Sequence, residues 1–242
     1  MSALEDVDLL NLWERGRANP APLQALVLLA QLYPERTFAD LAALSLGERD
    51  RLLLEARRAI FGTRLACFTR CPQCAEALEF DLDSAALCVS NEVAPARQYE
   101  TIVDGVKLCF RLIDSRDLLA AASCRDAAEA RACLLDRIVT ACDGDGAPVH
   151  ELPAGVEASV GARLASLDPQ ADVTFSLCCA ACSHAWTAFL DIGAFFWSEL
   201  TTKARRLLLE VHVLARAYGW SESTILSLGR RRREAYLSLV TA

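Results

Sequence analysis

The sequence lacks the features of a secreted, membrane-spanning or polyanion-binding protein. Its longest apolar stretches, such as residues 25–30, are far shorter than a membrane span. The opening residues, MSALEDVDLL, are acidic and carry neither the basic start nor the apolar stretch of a secretion signal. The formal net charge of -7 argues against nonspecific binding to phosphate backbones. We therefore expect a cytoplasmic protein that binds other proteins, and neither nucleic acid nor membranes.

Residues typical of catalysis are also scarce. The chain has three histidines, His150, His184 and His212, and the sequence places no nucleophile or acid partner beside any of them. It contains no phosphate-binding glycine loop, no serine nucleophile elbow and no HExxH motif. Because no residue supports an enzymatic reading, we expect a protein that is not an enzyme.

What the chain does have is enough apolar sequence to bury a core, arranged mainly with helical periodicity. Hydrophobic residues make up 53% of its 242 residues, and leucine and alanine dominate. The patterns predict an α+β, mainly α-helical protein, with helices within 4–61 and at 115–122, 126–142, 154–167, 192–218, 221–227 and 230–240. Predicted strands lie at 65–68, 78–82, 98–103, 106–113, 172–177 and 186–190, with an Asp104-Gly105 hairpin turn and a loop at 143–153.

One pattern occurs twice. CPQCAEALEFDLDSAAL begins at Cys71, and CAACSHAWTAFLDIGAF begins at Cys179. Aligned on their cysteines, the segments also share a leucine at Leu82 and Leu190, an aspartate at Asp83 and Asp191, and an alanine at Ala86 and Ala194. Leu78 aligns with Trp186, and Leu87 aligns with Phe195. Each copy predicts a strand, a turn between two cysteines, a second strand and a helix whose N-cap is the aspartate. We call the two-cysteine turn a knuckle.

The two knuckles predict a single metal site. A two-residue gap lets both sulfurs of a pair face one ion, but one pair supplies only half of a tetrahedral shell. Cys71, Cys74, Cys179 and Cys182 together complete a four-thiolate site for one structural Zn²⁺. Cys178 or His184 is an alternative ligand, and iron is an alternative metal. The other cysteines are expected to be buried free thiols, because cytoplasmic thiols stay reduced: Cys67, Cys88, Cys109, Cys124, Cys133 and Cys142.

The distance between the knuckles requires an inserted subdomain. The predicted organisation is an N-terminal helical region at 1–62, a first zinc-knuckle half at 63–87, an inserted hairpin-plus-helices subdomain at 88–170, a second zinc-knuckle half at 171–191, and a long helix with short helices at 192–242. The zinc site would join the N-terminal helices to the C-terminal ones.

Several segments together resemble a known family. They are LGERDRLLLEARRAIFG at 46–62, CPQC followed by LEFDLD, DPQADV at 168–173 before CAACSHAW, and ARRLLLEVHVLARAYGWSESTILSLGRRRREAYLSLV at 204–240. The chain resembles the baseplate hub assembly chaperones of T-even phages, which also occur in gene clusters for contractile injection systems. The resemblance implies a helper in baseplate assembly that binds baseplate, hub or spike proteins, with the same four cysteines as ligands. The second pair departs from the family pattern, since CAAC lacks the proline and follows an extra cysteine.

A partner surface is predicted near the C-terminus, since a short helix is poorly placed to bury two aromatic residues alone. Its residues are Tyr218, Trp220, Ile225, Leu228, Arg230, Arg231, Arg232 and Arg233. The alternative is that the apolar residues pack on the long helix and the arginines form a solvated face.

Two other functions stay open: a stable structural subunit of the baseplate, and a zinc-ribbon regulator that binds nucleic acid. Acidic residues on the first knuckle's arms disfavour the regulator.

Overall fold

The computed structural model describes residues 4–89, 97–142 and 155–241, and these form ten α-helices, one short 3₁₀ helix (Pro169–Ala171) and seven strands. The predicted α+β class with predominant helix is confirmed. The N-terminal region contains helices α1 (Asp6–Gly16), α2 (Ala21–Leu32), α3 (Phe38–Ala42) and α4 (Leu46–Phe61). Ser45 caps α4 by accepting the Glu48 N–H, and Gly62 ends it with a φ of 87°.

A long helix, α8 (Ile192–Tyr218), provides the central support of the main core. Asp191 caps its first turn and Gly219, with a φ of 69°, ends it, so the predicted bounds are confirmed. Helices α1, α2 and α4 pack against it through leucines that are fully removed from solvent. Two short helices follow, α9 (Glu222–Ser227) and α10 (Arg230–Thr241), and both pack on α8.

The segment between the cysteine pairs has a smaller core of its own. Strands β3 (Tyr99–Val103) and β4 (Val106–Phe110) form the predicted hairpin, with positive φ angles at Asp104 and Gly105. Helices α6 (Ala127–Ile138) and α7 (Val156–Leu167) complete this core, whereas α5 (Ser115–Ala121) packs on α2 and places Leu119 against the main core. The second core consists of Leu108, Phe110, Ile138, Val156, Val160 and Leu167.

Two predicted helices differ in the structure. The helix predicted to reach residue 142 ends at Ile138, and β5 (Val139–Cys142) pairs with β4. Val139 and Thr140 are β-branched, and the edge of β4 offers unpaired backbone groups, so the strand is favoured.

The helix predicted after Asp83 is only a turn at 84–87. There Gln170 donates to the Leu87 carbonyl and accepts the Val89 N–H, which draws the chain away from a helical path. The predicted loop at 143–153, with His150, lies outside the described residues.

The inserted segment is attached to α4 by a close backbone contact. Asp168, just after α7, accepts the Gly47 N–H (2.9 Å) and the Ser45 hydroxyl (3.3 Å). A β-carbon on Gly47 would lie 2.0 Å from an oxygen of this carboxylate. Glycine is therefore required at the contact because any side chain would displace Asp168.

Replacing Gly47 by alanine is expected to lower the free energy of unfolding by about 1–3 kcal/mol, because the overlap must push Asp168 from its partners. Gly161→Ala is the matched control, since Gly161 is also helical and has open space around it. That change should be neutral or stabilise by up to about 1 kcal/mol. Urea denaturation of both variants measures the difference, and equal stabilities would contradict the proposed contact.

Candidate metal centre

Two β-hairpins carry the four predicted ligands. The first consists of β1 (Arg64–Arg70) and β2 (Ala77–Asp83), and the second of β6 (Thr174–Cys178) and β7 (Ala185–Phe189). Their registers correspond, since Arg70 pairs with Ala77 and Cys178 pairs with Ala185 next to the turns. In each hairpin one face of the strands is exposed and the other is half-buried.

The turns at the hairpin tips have matching backbone hydrogen bonds. In the first turn the Cys71 N–H donates to the Glu76 carbonyl and the Ala75 N–H donates to the Cys71 carbonyl, both at 2.9 Å. In the second turn the Cys179 N–H donates to the His184 carbonyl (2.9 Å), and the Ser183 N–H donates to the Cys179 carbonyl (2.8 Å). The fifth residue of each turn has a positive φ, 61° in the first and 59° in the second. Two six-residue turns of dissimilar sequence thus adopt one backbone geometry.

The two tips meet, and their sulfurs converge. The Sγ atoms of Cys71 and Cys182 are 3.6 Å apart, as are those of Cys74 and Cys179, and all four lie within 4.8 Å of one another. Four sulfurs at about 2.3 Å from a tetrahedral ion would be about 3.8 Å apart. The four cysteines are therefore positioned to bind a metal ion.

The hairpins hold this geometry because their half-buried faces pack together and on the main core. The rings of Phe80 and Phe175 are 5.6 Å apart between the two hairpins. Leu65 and Leu190 are buried in the main core at the far ends of the strands. Cys71 and Cys179 are buried, whereas Cys74 lies at the surface. The site is formed by the packing of the protein and does not depend on a flexible loop.

A buried arginine fixes the base of the first hairpin. The guanidinium of Arg57 donates to both carboxylate oxygens of Glu199 on α8, at 2.8 and 2.6 Å. It also donates to the carbonyls of Gly62 and Arg64, where the chain leaves α4 and enters β1. One side chain thus connects α4, the hairpin and α8.

The electrostatics of the cluster favour a bound cation. Burial alone would raise the pKa of Cys71, but the backbone N–H groups of Cys74 and Gln73 lower it to about 7. The hydrogen bond from the Glu76 N–H lowers the pKa of Cys74, but the Cys182 thiol and burial outweigh it and raise this pKa to about 12. Four adjacent thiolates would repel one another, and a metal cation would remove that repulsion.

Cys178 and His184, the predicted alternative ligands, make contacts outside the four-sulfur cluster. The Cys178 thiol donates to the Ser183 carbonyl at 3.8 Å, and the His184 ring stacks on Trp186 with centroids 5.9 Å apart. Within the described ranges, the four cysteines are the single group of histidine, cysteine and acidic side chains whose ligand atoms converge on one point. Cys178 and His184 do not belong to it.

The remaining cysteines are less buried than predicted. Cys88 is exposed, and Cys67, Cys109, Cys124 and Cys133 are half-buried. The expectation of burial is wrong for Cys88, which follows the turn after β2 at the surface and donates to the Ser84 carbonyl. The side chain of Cys142 lies outside the described part of the chain.

The structure corrects the predicted partner surface at two residues. Ile225 is fully buried, and Arg233 is 2% exposed, with ion pairs to Asp6 and to Glu210. Both side chains are occupied within the chain because α9 and α10 pack against α8. The corrected surface contains neither of them.

The rest of the predicted surface includes an aromatic cluster. Tyr218 stacks on Trp220 with ring centroids 4.7 Å apart, and Tyr236 contacts both rings at 5.6 and 4.9 Å. Tyr236 was not predicted, because no local pattern connects α10 to the end of α8. Tyr218, Arg230, Arg231 and Arg232 are exposed, and Trp220 and Leu228 are half-buried. Contact of these residues with a partner stays a prediction.

Across the ranges that the structure covers, every helix is too short or too polar to cross a bilayer. Comparisons of the chain with protein-family models, with curated proteins and with solved structures find no match.

Proposed function

We propose that this protein is a non-enzymatic binding factor that assists assembly of the baseplate hub of a contractile phage-like tail or injection system. Its metal site is a duplicated zinc knuckle with one structural Zn²⁺. The convergence of the Cys71, Cys74, Cys179 and Cys182 sulfurs is the observation that supports the metal site in this proposal. The similarity of the quoted sequence segments to the chaperone family supports the baseplate role.

The donor set supports a structural role for the metal. Four thiolates complete the tetrahedral shell that zinc prefers, so no position is left for a water molecule or a substrate. Iron also accepts four thiolates, but Zn²⁺ has no redox chemistry that would disturb a purely structural site. When bound, the ion would join the two hairpins that flank the inserted segment. The metal would thereby keep the N-terminal helices and α8 in one arrangement.

The distribution of charge supports protein binding. Residues 192–242 contain eight lysines and arginines and four acidic residues, whereas the whole chain has a net charge of -7. The basic C-terminal region also contains the cluster of Tyr218, Trp220 and Tyr236. Aromatic residues and arginine are the types enriched at energetically important positions of protein interfaces. A partner with an acidic surface fits this region.

Co-expression of the tagged protein with neighbouring baseplate genes, followed by pull-down and metal analysis of the same sample, tests the proposal. We expect a hub or spike protein to co-purify and about one zinc ion per chain, because one four-thiolate site holds one ion. Recovery of iron would contradict the choice of metal. Mature particles that contain the chain in fixed stoichiometry would contradict a transient chaperone and favour a permanent baseplate subunit.

A further inference from the structure

A groove of about 530 Å³ lies between α1, the end of α4, β1, α8 and the start of α10. Its floor is apolar and is formed by Phe61, Ala66, Phe195 and Leu207. We call these four residues the apolar floor. The volume falls within the range of protein pockets that bind small ligands.

The charged groups around this floor are arranged by sign. Its three acidic residues are largely withdrawn from solvent, because Glu199 pairs with the buried Arg57, and Asp6 and Glu210 pair with the buried Arg233. Their side chains are 25%, 23% and 10% exposed, respectively. A ligand that approaches from solvent therefore meets little uncompensated negative charge from the lining of the groove.

The basic residues extend toward solvent. The side chains of Lys203, Arg206 and Arg230 are 36%, 60% and 73% exposed, and we call them the rim cations. Lys203 is the least engaged, since its ammonium lies 3.9 Å from Asp6 and 5.9 Å from the centroid of the Phe61 ring. Arg206 donates to Glu210 of the groove lining at 3.1 Å and lies 3.5 Å from Glu234, and Arg230 donates to Glu234 at 2.8 Å. A guanidinium has five N–H donors, so both arginines retain some for a ligand.

We propose that this groove binds an acidic amphipathic segment of a partner protein, with apolar side chains on the apolar floor and carboxylates at the rim cations. Lys203 and Arg206 are one helical turn apart on α8. Carboxylates three or four residues apart on a helix have a matching separation of about 5–6 Å. This inference rests on the proposed protein-binding function and specifies the chemistry of the partner.

Two synthetic peptides test the charge requirement. The first is a fluorescein-labelled helical peptide with leucine on one face and glutamate on the other, and the second has glutamine in place of glutamate. In fluorescence anisotropy at low salt, the glutamate peptide should bind the metal-loaded protein at least about tenfold more tightly, because only it can pair with the rim cations. Equal affinities, or no binding of the glutamate peptide, would overturn the proposal.

Two variants test the location. Lys203→Glu should weaken binding of the glutamate peptide about tenfold, whereas Arg205→Glu, an equal charge change on α8 outside this groove, should change it less than about twofold. Ala66→Trp should weaken both peptides because it fills the floor. Circular dichroism and metal content establish that each variant is folded. Equal effects of the two charge reversals, or unchanged binding by Ala66→Trp, would place the peptide elsewhere and overturn the proposal.

The pull-down separates failure of this inference from failure of the proposed function. If Ala66→Trp still retains the hub or spike protein that the unaltered chain binds, the groove is not the partner site, although the binding function stands. If the unaltered chain retains no baseplate protein but binds the glutamate peptide as expected, the groove chemistry is supported and the baseplate role is contradicted.

Discussion

Replacing Cys182 by serine is expected to remove the bound metal and to lower the thermal unfolding midpoint by about 10 °C or more. The variant leaves three thiolates, and an incomplete shell binds zinc weakly. In structural zinc sites the free energy of metal binding is part of the free energy of folding, on the order of 10 kcal/mol in small zinc domains. Here the main core remains, so we expect a loss of about 5 kcal/mol, and a domain of this size loses about 2–4 °C per kcal/mol.

Cys178→Ser is the matched control for this experiment. Cys178 adjoins the ligand Cys179, but its thiol is directed to the Ser183 carbonyl and lies outside the four-sulfur cluster. The control should retain about one metal ion per chain and unfold within about 1 kcal/mol of the unaltered protein. Calorimetry with metal analysis measures both properties. Loss of the metal from Cys182→Ser without a change in melting would contradict the stabilising role, and equal metal loss from both variants would contradict the ligand assignment.

Replacing Asp117 by asparagine is expected to lower the free energy of unfolding by about 3 kcal/mol near neutral pH. Asp117 is fully buried and accepts hydrogen bonds from both terminal nitrogens of Arg111 (2.6 and 2.8 Å) and from Arg137 (2.8 Å). It also accepts the Asp114 N–H at 3.0 Å. Arg137 lies on α6 and Arg111 directly follows β4, so Asp117 on α5 connects all three elements. Removing one partner of a fully buried ion pair typically costs about 3–5 kcal/mol. Arg111 and Arg137 are 31% and 38% exposed, so water can solvate their charges and we expect the low end of that range.

The same carboxylate predicts a dependence on pH. Burial alone would raise the pKa of Asp117, but the hydrogen bonds from Arg111, the Asp114 N–H and Arg137 lower it from 3.8 to about 2. Because the pKa is lower in the folded state, the stabilisation is complete above pH 3.8 and is lost as the pH falls through about 2. Asparagine does not titrate in this range. The stability difference between the two proteins should therefore shrink as the pH falls from about 5 toward 2.

Urea denaturation across this pH range measures the difference, and Asp136→Asn is the control. Asp136 is an exposed carboxyl on α6, so its replacement should change the stability by less than about 0.5 kcal/mol at each pH. A constant difference between Asp117→Asn and the unaltered protein would contradict the proposed role of the ionised carboxylate.

Elements with strong local signals could be predicted from the sequence. Asp191 and Gly219 delimit α8 because an N-cap side chain and a residue with positive φ act within one helical turn. Asp104 and Gly105 form a hairpin turn for the same kind of local reason. These signals do not depend on the rest of the fold, which explains why the predicted bounds agree with the structure.

Elements that depend on a distant partner could not be predicted in this way. Val139 continues a helical pattern in the sequence, yet it pairs with Phe110 because the edge of β4 is available. The segment after Asp83 has the same pattern as the start of α8, but hydrogen bonds of Leu87 and Val89 with Gln170 hold it in a non-helical path. In both cases tertiary contacts outweigh a local helical preference of a few tenths of a kcal/mol per residue.

The sequence by itself determined the two cysteine pairs, their turns and the helix that follows the second pair, because these depend on spacing and on interactions within a few residues. Only the tertiary structure decided that Cys71 and Cys74 meet Cys179 and Cys182, and that Cys178 and His184 stay apart from them. It also decided that Arg233 of the arginine run is buried against Asp6, near the opposite end of the chain. Such contacts depend on how α1, α8 and α10 pack, and local sequence does not encode that packing.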